Sequence, residues 1–198
     1  CFMPKNTKQQ CADALSALLE RKSLDRITVS DITDECGLNR QTFYYHFHDI
    51  YELIEWQIDC RTAEISATDN WVESWDEMLD SIFVGMLENR RLVKHLYHSR
   101  GWHHIMDYLY RRLIPLLNQR AHYVAQRDHM EVDDGDIKFV VQIHQIAAYG
   151  ILDAWIDSGM PGSHPKDLDR LRRLMRGSLE QALSNFDRRR DEKTDISS

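Results

Sequence analysis

Apolar residues recur at helical spacing through almost the whole chain, and this feature leaves the fewest folds open. Cys11, Ala14, Leu15, Leu18 and Leu19 repeat three and four residues apart, and Trp71, Trp75, Met78, Leu79, Ile82, Phe83 and Met86 do the same. In an α-helix that spacing gathers side chains onto one face. No two alternating runs are joined by an Asn-Gly or Asp-Gly turn, so strand signals are nearly absent. The expected fold is all-α. With 198 residues, 42% of them hydrophobic, the chain can bury a substantial core as one large domain or two small ones.

Local signals divide the chain into helices. The first is expected from Thr7 to Arg21. Thr28 opens a Thr-x-x-Asp pattern that ends at Asp31, a pairing that satisfies orphan amides at a helix start, and Gly37 closes that short helix. Asn39 is placed to cap a third helix, about Arg40 to Phe47, and Asp49 a fourth carrying Leu53, Ile54, Ile58 and Ile65. The polar run at 66–70 marks a boundary between residues 1–66 and 67–188. Beyond it come the stripe beginning at Trp71, a short helix near Leu92 to Tyr97, a long one from His103 past Leu117 with a bend at Pro115, and another from Ile137 to Asp157. A last helix is expected from Lys166 to about Arg188. The charged end, 189–198, lacks apolar anchors and is expected to be disordered.

Two short helices around Gly37 form a helix-turn-helix, the arrangement whose second helix enters the DNA major groove. With a helical step of about 100° per residue, Phe47 falls about 40° from Phe43, and the two define an inward face against Ile27, Ile32 and Leu38. Gln41, Tyr44, Tyr45 and His48 fall between about 100° and about 200° from Phe43, pointing away from that core. A short helix that projects two tyrosines and a histidine into solvent has a surface ready for a partner.

The stretch "ITVSDITDECGLNRQTFYYHFHDIYEL", residues 27–53, resembles the N-terminal DNA-binding domain of TetR-family transcriptional regulators, and the resemblance covers roughly residues 5–55. Within the family, "RQTFYYHF" is similar to the branch that includes regulators of dihydroxyacetone-kinase operons. The resemblance implies an N-terminal three-helix helix-turn-helix domain and a larger C-terminal helical domain for effector binding and dimerisation. It also implies that Thr28 contacts a phosphate and that Ser30 faces the groove. Arg40, Gln41 and Thr42 become base readers, since Arg can fork onto guanine and Gln onto adenine. Tyr44, Tyr45 and His46 would meet phosphates and thymine methyls. Ile50 stands where the family often has a phosphate-gripping lysine. The stretch 1–60 holds six Lys or Arg against ten Asp or Glu, a balance of −4 within an overall charge of −7. Few cationic contacts predict weak non-specific binding and a shallow salt dependence. His48, facing phosphate, would compensate by gaining charge in mild acid and tightening operator binding there.

In the second half, the helix around residues 137–157 has two apolar sides: Phe139, Ile143, Ile146 and Gly150 on one, and Val141, His144, Ala148, Ile151 and Trp155 on the other. The last helix carries Leu168, Leu171, Met175, Ser178, Leu179, Ala182 and Phe186 as one stripe. Two antiparallel helices with spare apolar surface suit a homodimeric four-helix bundle, built on Val141, His144, Ala148, Ile151, Trp155, Leu171, Met175, Ser178, Leu179 and Ala182. The resemblance implies a small-molecule effector in the same half, and Trp75, Phe83, His95, His98, Trp102, Leu109, Tyr149 and Trp155, an aromatic and polar mixture suited to an organic ligand, are the candidate pocket walls. It further implies a pseudo-palindromic operator on double-stranded DNA, with half-sites roughly 34 to 36 Å apart, and a repressor as the regulator.

Other functions find little support. There is no G-x-S-x-G elbow, P-loop, H-E-x-x-H or dinucleotide fingerprint, and Asp76, Glu77 and Asp80 read as a solvated helix face, so no enzyme and no cofactor is expected. His95, His98, His103 and His104 cluster in sequence without an identifiable third and fourth ligand, so no metal is expected. Four cysteines without a C-x-x-C pair fit reduced thiols. No apolar run approaches the ~20 residues of a membrane span, and the N-terminus lacks a signal-peptide core, so the expectation is a cytoplasmic protein without a membrane partner. The alternative function is a family member with weakened DNA binding that serves as an interaction module or co-regulator.

Overall fold

A computed structural model describes residues 6–68, 70–160, 173 and 176–189; for Asp76, Met78 and Leu79 it describes the backbone only. The described residues are helical with no strand. The helices are α1 (Thr7–Leu19), α2 (Val29–Cys36), α3 (Arg40–His46), α4 (Ile50–Ala67), α5 (Trp75–Glu88), α6 (Arg90–Tyr97), α7 (Trp102–Arg127), α8 (Asp134–Asp157) and α9 (Ser178–Ser184), with a 3-10 turn at Leu24–Arg26. The chain forms two compact units, one of residues 1–67 and 82–112, the other of residues 68–81 and 113–198.

The first unit is organised by the caps and stripe legible in its sequence. Thr28 and Asp31 form a reciprocal capping box at the start of α2, and Gly37 ends that helix in the left-handed region at φ 68°. A side chain there would cost strain, because a Cβ crowds the following carbonyl. Asn39 accepts the Thr42 amide at the start of α3, and Asp49 accepts the Glu52 amide in the first turn of α4. Cys11, Leu15, Leu18, Leu19, Leu24, Ile27, Ile32, Phe43, Phe47, Leu53 and Ile54 bury together, joined by Ile105 of α7, with Leu92 and Leu96 of α6 packed against them. Polar ties add to this packing. His95 meets the Leu19 carbonyl, the Arg100 amide donates to Asp25, and the Tyr108 hydroxyl donates to Asp59 at 3.0 Å.

In the second unit, Ala121, Val124, Ile137, Val140, Val141, Leu179 and Leu183 form the core. Arg120, itself buried, donates to the Val72 carbonyl at 2.6 Å and to Glu180 at 2.7 Å, so one guanidinium ties the 70–74 turn, α7 and α9 together. Asp187 accepts the Glu131 amide at 2.9 Å, and Arg188 pairs with Asp133 at 2.6 Å. α7 runs through Pro115, whose missing N–H leaves the Arg111 carbonyl without its helical donor.

One expected element differs. The apolar stripe predicts an unbroken last helix from Lys166 to Arg188, but Gly177 has φ 69° and α9 starts only at Ser178 and ends at Ser184. A left-handed residue cannot sit inside an α-helix. Residues 161–172, 174 and 175, including Leu168, Leu171 and Met175 of the expected stripe, lie outside the described residues, as do residues 190–198.

Candidate nucleic-acid interface

α3 is anchored from beneath by Phe43 and Phe47, which are 0% and 2% exposed and lie 5.6 Å apart between ring centroids. The opposite face carries Tyr44 and Tyr45, 57% and 85% exposed. Arg40, Gln41 and His48 are also exposed, while Thr42 and His46 are half-buried. The division between core and surface is the one expected from helical spacing. Among the described residues, no hydrogen-bond or ionic partner engages the side chains of Arg40 or Gln41, which leaves both able to reach a ligand. Tyr45 stacks edge-on against His46 at 5.0 Å, an arrangement that steers the tyrosine without covering it.

Two expected contact residues are engaged within the protein. The Thr42 hydroxyl donates to Asn39 at 3.0 Å, so toward DNA it offers lone pairs and a methyl group. Thr28 commits both its donors to Asp31: its amide and its hydroxyl each lie 2.7 Å from Oδ2. Those hydrogen bonds, followed by Lys22 at 2.9 Å, hold the Asp31 carboxyl down at about 2. An ionised carboxylate thus sits at the head of α2 and accepts from both Thr28 donors. Thr28 itself is exposed. Ser30, in the same first turn of α2, is half-buried.

The expected effector residues divide between the units. Phe83, His95, His98, Trp102 and Leu109 belong to the first; Trp75, Tyr149 and Trp155 belong to the second. His95 is engaged by the Leu19 carbonyl, His98 is exposed beside Tyr97, and Trp75 stacks near Trp71 at 6.1 Å. Trp102 is buried against Tyr97 at 5.1 Å, and its indole N–H has no acceptor among the described residues. A groove of about 380 Å³ in the first unit is lined by Leu24, Asp25, Ile27, Ile50, Tyr51 and Arg100, and none of the eight expected residues lines it.

The residues expected at a dimer interface also divide. Val141, Trp155 and Leu179 are buried within the chain, Val141 and Leu179 in the second unit's own core, so they have little area to give a second copy. His144 and Ser178 face each other at 3.2 Å, Ile151 and Ala182 are half-buried, and Ala148 is exposed. The exposed apolar side of α8 is the other one, Phe139, Ile143 and Ile146, 53%, 49% and 58% exposed. α8 is also long and apolar enough to cross a membrane on length and composition alone, against the expectation that no run was.

No three His, Cys, Asp or Glu side chains converge as a metal site among the described residues. Cys11, Cys36 and Cys60 are free thiols, and burial, with Cys36 alongside, pushes the Cys11 thiol up to about 11.

A capped helix-turn-helix that buries aromatics on one side and presents Arg, Gln and Tyr on the other defines a DNA-binding regulator. The protein-family model for bacterial regulatory proteins of the tetR family matches residues 12–55, and the model for a transcriptional regulator C-terminal region matches residues 73–177, more than half of the chain. The chain belongs to the TetR family of transcriptional regulators. No curated protein matches it. Among solved structures, the dihydroxyacetone kinase operon activator DhaS is similar at 19% identity, with TM-score 0.65, covering 91% of this chain and 98% of that one. SmeT, the repressor of the Stenotrophomonas maltophilia multidrug efflux pump SmeDEF, is similar at 16% identity and TM-score 0.60, covering 92% and 91%. A SmeT–triclosan complex is similar at 15% identity and TM-score 0.58, covering 90% of each chain. At these identities the likeness is one of fold. The family model spans α8, which is accordingly not read as a membrane span.

Proposed function

We propose that the protein is a ligand-responsive repressor that binds a pseudo-palindromic operator as a homodimer in the cytoplasm, where bacterial DNA lies. Residues 1–66 serve as its DNA-binding domain and residues 67–188 as its effector and dimerisation domain. The observation that carries this reading is the exposed face of α3, where Arg40, Gln41, Tyr44 and Tyr45 stand in solvent on a helix pinned by Phe43 and Phe47. Arg40 and Gln41 read base edges, while Thr42, Tyr44, Tyr45, His46 and His48 supply contacts to phosphates and methyl groups. The dimer forms through the exposed side of α8, in place of the buried Val141 and Leu179. An organic effector is supported by the unanswered Trp102 N–H, a buried donor that a ligand oxygen could satisfy, and by the binding of triclosan to the related fold of SmeT.

The test is selection of random duplexes on the purified protein. Enrichment of an inverted repeat is the expected result, and Arg40→Ala should relax one base position in each half-site while Tyr44→Phe weakens binding across all sequences. Enrichment of nothing would sink this reading and favour an interaction module or co-regulator, which the −4 balance of the stretch 1–60 makes the second reading. A reporter placed behind the enriched site separates a repressor, as SmeT is, from an activator, as DhaS is.

A further inference from the structure

The stretch 1–60 holds an excess of carboxylates, so the cations left unpaired there decide how a polyanion could be held. Arg21 is committed to Glu35 at 2.6 Å and Lys22 to Asp31 at 2.9 Å. Lys8, in the first turn of α1, is placed differently. Its ammonium lies 5.4 Å from the ring centroid of Phe47 and 5.9 Å from that of Trp56. No carboxylate pairs with it among the described residues.

Phe47 is the residue that ends α3, and its ring is buried. Lys8 is half-buried, and its ammonium lies over the rings of the residue that ends α3 and of Trp56 in α4. Two ring faces hold the ammonium in place by cation–π attraction without neutralising it. Asn6 caps the start of α1 by accepting the Lys8 amide, which fixes the backbone from which this side chain extends. A restrained, unpaired cation at the end of a groove-reading helix, on an otherwise acidic domain, is suited to a phosphodiester and to little else nearby.

We propose that Lys8 is a backbone-phosphate contact of the bound duplex, one per subunit, held in position by Phe47 and Trp56. The proposal rests on the DNA-binding reading above and adds to it a residue outside the helix-turn-helix. The contact fixes register and strength without reading sequence.

The test uses the full-length protein and the duplex enriched by the wild type. Lys8→Met keeps an apolar stem over the two rings and removes only the charge; Lys8→Gln removes the charge with a shorter stem. Affinity is measured from about 50 to about 200 mM salt, where each lost phosphate contact flattens the log–log slope by about 0.9. For a dimer both variants should be shallower than wild type by about 1.8, so the wild-type advantage shrinks about twelvefold across that range. Lys8→Arg should keep the wild-type slope. A purely structural lysine would lower the melting temperature and leave the slope alone. A wild-type slope in Lys8→Met overturns the phosphate contact while DNA binding stands, and a wild-type protein that enriches no duplex overturns both.

Discussion

Within residues 43–48, neighbouring aromatic side chains hold opposite jobs. Phe43 is fully buried and Tyr45 is 85% exposed, two positions along one helix. Phe43→Ala should lower unfolding free energy by about 3 to 5 kcal/mol, the cost of truncating a core aromatic. Tyr45→Ala should change stability by less than about 0.5 kcal/mol and still weaken operator binding by about two- to tenfold, the value of a hydrogen bond. Denaturant midpoints and binding isotherms on the two variants check the pair; equal destabilisation by both would mean that the two faces of α3 are not distinct. This division was legible in the sequence because the angular step of a helix is a property of the backbone. The use of Thr28's donors was less so: a Thr-x-x-Asp pattern reveals the cap, but not that Asp31 would take both donors. The seat of Lys8 over Phe47 was not legible at all, because residues so distant in sequence leave no spacing signal.

Among the elements, caps were the most readable features, since each is a local exchange between a side chain and the amides within three residues of it. The Thr28 to Asp31 box and the left-handed Gly37 both stand where the sequence placed them. No neighbour within 4 Å would meet a Cβ at Gly37, so Gly37→Ala should cost only the backbone strain, about 1 to 2 kcal/mol, seen as a lower melting temperature. The cap also carries a pH signature. Asp31's carboxyl is held at about 2 in the folded chain by Thr28 and then by Lys22, below the ordinary range near about 4. A depressed carboxylate stabilises the fold above its unfolded value, and that contribution is lost as pH falls through the folded one. Wild type should therefore outlast Asp31→Asn in thermal melts at neutral pH, and the gap should close between about pH 4 and about pH 2. A gap that persists unchanged to pH 2 would remove the carboxylate from the account of α2. The break at Gly177 was missed because the apolar stripe on either side continues in phase, and periodicity alone cannot tell a glycine within a helix from one that interrupts it.

For the whole molecule, the proposed homodimer turns on which apolar surface the chain leaves uncovered. Helical spacing exposed two apolar sides on α8 but carried no information on which one the chain covers by itself. The fold uses Ile137, Val140 and Val141 for its own core with Leu179 and Leu183, and leaves Phe139, Ile143 and Ile146 about half exposed. Burying such a side chain fully is worth about 1.5 to 3 kcal/mol relative to leaving it in water, so three from each subunit, already half covered, still offer several kcal/mol to an isologous interface. Ile143→Asp places a charge at the middle of that stripe, where desolvation without a partner opposes association. Sedimentation at micromolar concentration should show wild-type dimer and variant monomer, with far-ultraviolet circular dichroism unchanged, because residue 143 faces away from the core. Operator affinity should fall with the dimer, since two half-sites one helical turn apart are read together only by two linked subunits. A variant that remains dimeric and binds its operator normally would move the interface off this face of α8.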